Sequence, residues 1–105
     1  MRLLLDTHAF LWWVDDDNRL SRRARAAIAD RENDCFLSLT SCWELAIKVS
    51  LGKLSLEANV EQFVSVQAAT NGFTFLPVQF SHTARVARLP FHHRDPFDRM
   101  LAAQA

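Results

Sequence analysis

At 105 residues, 50% of them hydrophobic and 23% charged, the chain has the size of one domain and the balance of an ordinary globular protein, which excludes collagen-like and disordered classes. Twelve Lys and Arg against twelve Asp and Glu give a formal net charge of zero, so no overall basic field draws the molecule to nucleic acid or to an anionic membrane, and such binding must come from local patches. Two glycines leave no room for a Gly-rich phosphate loop, Cys35 and Cys42 build no disulfide framework, and no apolar run reaches the length of a signal-peptide core or a membrane span, so the expected location is the reducing cytoplasm.

The chain opens on R-L-L-L-D-T, in which Leu3, Leu4 and Leu5 form an unbroken apolar run ending in the carboxylate of Asp6. Such a run suits a strand buried on both faces of a parallel sheet, and Asp6 is expected at the carboxyl end of a central strand, where open α/β sheets place ligands. Residues 7–14, with Phe10, Leu11, Trp12, Trp13 and Val14, predict a short helix packed under the sheet. Asp15, Asp16, Asp17 and Asn18 stop it and read as a solvated turn in preference to a metal site. Ser21 is a good N-cap for a helix over 22–29, where Ala24, Ala27 and Ile28 recur at helical spacing.

Residues 35–39 predict the next buried strand, and 41–51 a helix ended by Gly52 in a left-handed conformation. Val60, Phe63, Val64 and Ala68 mark an amphipathic helix that begins at Leu56 or Glu57 and closes at Asn71-Gly72. A third strand over 73–78 tolerates Pro77 at its end, Ser81 caps a short helix through Val86, and Asp95-Pro96 opens a last helix. The order strand, helix, helix, strand, helix, helix, strand, helix, helix predicts a single α/β domain over 1–105, with a mostly parallel sheet covered by helices on both faces.

This topology can bring three carboxylates together: Asp6 after the first strand, Glu44 after the second, and Asp95 or Asp98 at the start of the last helix. Acids without interspersed Cys or His suit a hard cation such as Mg²⁺ or Mn²⁺, which relieves their repulsion and activates water against a phosphodiester. Capping competes with this reading. S-C-W-E is a capping box in which Glu44 serves the Ser41 amide, and Asp95 and Asp98 repeat that arrangement around Pro96. Asp6, ending an apolar strand, has no capping role as obvious.

The opening L-L-L-D-T-H-A-F-L-W-W, the middle S-C-W-E-L-A-I-K-V-S-L-G-K-L and the closing L-P-F-H-H-R-D-P-F-D-R-M-L-A-A-Q-A together resemble a PIN-domain protein, in particular the VapC-type toxins of bacterial toxin–antitoxin pairs. The resemblance implies a PIN-like (Rossmann-like) three-layer α/β/α fold and a Mg²⁺- or Mn²⁺-dependent ribonuclease, usually dimeric and silenced by a cognate antitoxin. It implies Asp6, Glu44 and Asp98 as the metal-binding catalytic acids, Thr7, Ser41 and Asp95 as their polar neighbours, and an RNA substrate. In that family a further strand brings a Thr-x-Asp-like segment, and the chain reaches Ala105 before one appears. The domain is therefore expected to lack that C-terminal strand, leaving a sheet edge open to self-association.

Around this set, His92, His93, Arg94 and Arg99 are candidates for RNA phosphate contact, and Arg19, Arg22, Arg23 and Arg25 form an exposed basic helix face. His8 is expected to pack below the sheet edge, Trp12, Trp13 and Trp43 to pack in a core or interface before stacking on bases, and Lys48 to pair with Glu44 at i, i+4. A phosphotransfer domain fits less well: a dehalogenase-like phosphoacceptor wants D-x-D where position 8 is His, and a receiver wants an acid ending F-T-F-L-P-V. The non-enzymatic alternative is a catalytically incomplete PIN-like module that acts through antitoxin or RNA binding.

Overall fold

The computed structural model describes residues 1–88, so the expectations placed on the last helix and on Asp95, Asp98, His92, His93, Arg94 and Arg99 lie outside the described residues. The elements in chain order are β1 (Arg2–Leu5), α1 (Thr7–Val14), α2 (Arg22–Ala29), β2 (Asp34–Ser38), α3 (Leu39–Ser50), α4 (Val60–Asn71), β3 (Thr74–Leu76) and α5 (Phe80–Val86). The strands pair in the order β1, β2, β3, all parallel, with Leu5 opposite Leu37 and Ser38 opposite Leu76. A parallel sheet clad by the crossover helices is the three-layer α/β/α arrangement expected from the alternation of strands and helices. Among the described residues β2 is the middle strand, paired with β1 on one side and β3 on the other.

The core explains why the helices sit where they do. Leu5, Phe10, Cys35, Leu37, Leu45, Val64, Ala68 and Phe73 form one buried cluster drawn from β1, α1, β2, α3, α4 and the entry to β3. Phe10 has no exposed surface and meets Phe63 and Phe73 edge-on, with ring centroids 6.1 and 6.2 Å away. The α4 stripe works as its spacing predicts, since Val64 and Ala68 are buried while Val60 and Phe63 pack against the cluster. Trp13 ties α1 to the end of α4 by donating its indole N–H to Asn71 Oδ1 at 3.0 Å.

Helix ends follow local chemistry. Ser21 caps α2 by accepting the Ala24 N–H at 3.0 Å, as predicted. Gly52 after α3 and Gly72 after α4 adopt φ of 72° and 70°, and in each case the next residue reaches back across the turn, Lys53 N–H to the Lys48 carbonyl and Phe73 N–H to the Ala68 carbonyl, both at 2.9 Å. Several boundaries differ from expectation: β2 and α3 are displaced by one or two residues, to 34–38 and 39–50, and three others have a visible local cause. Asn59, not Leu56 or Glu57, starts α4, its side chain accepting the Gln62 N–H at 2.8 Å. The third strand stops at Leu76 because Pro77 has no N–H to continue the ladder. Gln79 precedes α5, with its N–H donated to His82 Nδ1 at 3.0 Å, so Ser81 lies inside the helix.

Candidate active site

The site is built where β1 and β2 end side by side. Their parallel register carries Asp6 and Ser38, each one residue past the Leu5–Leu37 pair, to the same edge of the sheet, and each opens a helix there. Asp6 is extended, with φ −78° and ψ 172°, and its exposed carboxylate accepts the Ala9 N–H at 2.7 Å as the N-cap of α1. The first residue of that helix, Thr7, is buried and donates its hydroxyl to Glu44 Oε1 at 2.5 Å. Glu44, only 8% exposed, also has Oε2 3.4 Å from Lys48 Nζ. A chain of contacts thus runs from the covalent neighbour of Asp6 through Thr7 to Glu44, and from Glu44 to Lys48.

The capping roles fall the other way round from the sequence expectation. Ser38, not Ser41, is the N-cap of α3, accepting the Thr40 N–H at 3.0 Å. The helix therefore starts before the S-C-W-E segment, Ser41 and Glu44 both lie within it, and Glu44 is released from capping to meet Thr7. Asp6, for which no capping role was evident, is the acid that caps. An acid after an apolar strand is at once a strand terminus and a helix start when the turn between them has no spare residue.

Ser38, Thr40 and Ser41 are buried with Thr7 and Glu44, so the described residues place five polar side chains out of water beside an exposed carboxylate. Among the described residues the Ser41 hydroxyl, fully buried, has no hydrogen-bond partner. An unsatisfied buried hydroxyl costs stability unless a ligand or water meets it. Ser38 and Thr40 were missed by sequence reasoning; the signal available was that Ser38 is the first hydroxyl after the apolar strand.

The donor set of Asp6 and Glu44 is all oxygen, which fits a hard divalent cation. Among the described residues no three His, Cys, Asp or Glu side chains converge on one point, so these two acids do not by themselves make a full ligand set. Lys48 pairs with Glu44 as predicted. His8 departs from its predicted place: it is exposed and lies against Trp12, ring centroids 5.7 Å apart, because the buried face of α1 is set by Thr7 and Phe10 and position 8 turns away from it.

The acidic turn is a partner for arginines. Arg19 donates to Asp17 at 2.7 Å and holds that carboxyl at about 2, below its ordinary 3.8, while Arg25 meets Asp16 at 2.5 Å. Two of the four arginines of the predicted basic face are thereby engaged within the molecule. Trp12 and Trp13 are half-buried, and Arg19 stands 5.3 Å over the Trp12 ring; Trp43, at 62% exposed, is not in the core, which leaves the interface half of its expectation. A groove of about 770 Å³, whose walls include His8, Trp12, Asp15, Arg19, Lys53 and Glu57, adjoins the site through Lys48 and is lined by neither Asp6 nor Glu44.

The parallel sheet, with Asp6 after its first strand and the buried Glu44 in the helix after its second, is accompanied by a family match. Residues 3–105 match the PIN domain, and the chain belongs to that family. Membership points to a nuclease. No curated protein and no solved structure matches the chain significantly. Among the described residues no helix is long and apolar enough to cross a membrane.

Proposed function

We propose that the protein is a Mg²⁺- or Mn²⁺-dependent endoribonuclease and the toxin of a type II toxin–antitoxin pair, with Asp6, Glu44 and Asp98 as metal ligands. The observation that supports the nuclease reading is the Thr7 hydroxyl on Glu44, which ties the residue after Asp6 to a buried carboxylate on α3 in a PIN domain. The toxin role, the cognate antitoxin and a homodimer rest on the resemblance of three sequence blocks to VapC-type toxins. Cytoplasmic location rests on the same resemblance and on the two unpaired cysteines among the described residues.

In this reading each side chain has a defined task. Asp6 and Glu44 would hold a hard cation, which when bound would activate water and stabilise charge on the phosphodiester. Asp6 holds its carboxylate at the helix N-terminus, fixed by the Ala9 N–H, so that one oxygen is committed to the backbone and the group is pre-oriented. Thr7 fixes the Glu44 rotamer, and burial of Glu44 keeps bulk water from competing for it. Asp98 is assigned as the third ligand, Asp95 as its polar neighbour, and His92, His93, Arg94 and Arg99 to RNA phosphates, all outside the described residues.

Cleavage of single-stranded RNA in Mn²⁺ by wild-type, Asp6→Asn and Glu44→Gln proteins tests the assignment. Losing a ligand is expected to lower the rate by about a hundredfold or more, since even groups that only orient ligands are worth 10- to 100-fold. Undiminished cleavage by Asp6→Asn would overturn it. Folded wild-type protein that binds neither Mg²⁺ nor Mn²⁺ at millimolar concentration would identify the chain as a binding module instead.

A further inference from the structure

Lys48 stands between two features of the molecule. Its ammonium is 3.4 Å from Glu44 Oε2, and its side chain, 32% exposed, lines the groove that runs past His8, Trp12 and Lys53. The distance is that of an ion pair without a tight charge-assisted hydrogen bond, which would be about 2.7–2.9 Å. The other oxygen of the same carboxylate is held at 2.5 Å by Thr7. Glu44 is therefore fixed by the threonine and compensated by the lysine, and the lysine contact is the looser of the two.

A buried carboxylate needs a compensating charge, because leaving it alone in a water-poor site is costly. Lys48 supplies that charge from the next turn of α3. The flexible four-carbon stem also lets the ammonium swing between the carboxylate and the groove without any movement of the helix. Arg19, on the same groove wall, is differently placed: it is forked onto Asp17 by its Nε and Nη2 and stacked over Trp12.

Resting on the metal-site reading of Asp6 and Glu44, we infer that Lys48 is a movable counter-ion: it neutralises Glu44 while no divalent cation is bound, and turns into the groove to meet a nucleic-acid phosphate when one is. Two consequences follow from electrostatics. Lys48 opposes metal binding, because a positive charge beside the ligand repels the cation. A phosphate in the groove withdraws that opposition, so metal and polynucleotide each strengthen the binding of the other by the same factor. Lys48 is in this sense a positioning residue that makes the site charge only when its substrate is at hand.

Calorimetric titration of the folded protein with Mn²⁺, alone and with a non-cleavable 2′-O-methyl oligoribonucleotide, reads both consequences without any turnover. Lys48→Met is expected to bind Mn²⁺ about tenfold more tightly than wild type in the absence of oligonucleotide. Lys48→Arg, which keeps the charge, is expected to stay near the wild-type affinity. The oligonucleotide is expected to tighten Mn²⁺ binding in wild type and to have little effect on it in Lys48→Met. Lys48→Gln serves the same purpose if the methionine variant does not fold. Equal or weaker Mn²⁺ binding by the neutral variants, or an oligonucleotide effect that survives in them, overturns the counter-ion role and leaves the metal site standing. Absence of Mn²⁺ binding by wild type and all variants, each shown to be folded, removes the metal site and this role together.

Discussion

At the start of α1 the Asp6 carboxylate accepts the Ala9 N–H at 2.7 Å, and asparagine caps a helix about as well as aspartate does. The two tasks assigned to Asp6 are therefore separable by substitution. Asp6→Asn is expected to keep stability within about 0.5 kcal/mol of wild type, Asp6→Ala to lose about 1 kcal/mol, and both to lose Mn²⁺ affinity. Urea denaturation beside metal titration checks this; equal metal binding by wild type and Asp6→Asn would reduce the residue to a cap. Individual residue types and their positions were legible in the sequence, as Asp6, Glu44 and the Glu44–Lys48 pair show. Their partners were not, because a Ser-x-x-Glu spacing has the same appearance at a helix start and inside the first turns. Only the tertiary contact with Thr7, from a different strand end, decides which bond Glu44 makes.

Among the elements, α3 carries both the proposed ligand Glu44 and part of the core, with Glu44 next to Leu45, which has no exposed surface. Leu45→Ala is expected to cost about 2–5 kcal/mol, seen as a lower urea midpoint, while metal affinity measured under folding conditions stays near wild type. A loss below about 1 kcal/mol would show that the site collapses around the gap. The existence, type and order of the eight described elements follow from apolar spacing and caps, and α1 and α2 match their predicted bounds. What spacing could not set were the ends. The apolar residues Leu54 and Leu56 continue the hydrophobic pattern ahead of α4, yet the helix waits for the side chain of Asn59 to satisfy its first amides. The strand β3 is cut short by a single missing N–H at Pro77. Helix and strand limits are decided by hydrogen-bond accounting, which a hydrophobic period does not encode.

For the molecule as a whole, the two cysteines report on integrity. Cys35 is buried in the core cluster and Cys42 is half-buried, and burial pushes both thiols above their ordinary range, with the neighbouring Asp34 adding to the effect on Cys35. Alkylation of Cys35 is expected to require global opening, so its rate, followed by mass spectrometry, should rise in step with unfolding by urea. Rapid labelling in native buffer would mean that β2 opens locally. The last consequence concerns time. Thr7 and Glu44 meet across 37 positions of chain, and closing a loop of that length costs about 3 kcal/mol of entropy before any contact repays it. Parallel pairing of β1 with β2 is the step that repays it, and such non-local pairing is slow. A chain emerging from synthesis, or one only partly folded, therefore keeps Thr7 and Glu44 apart, and the contact between them arrives together with the finished sheet.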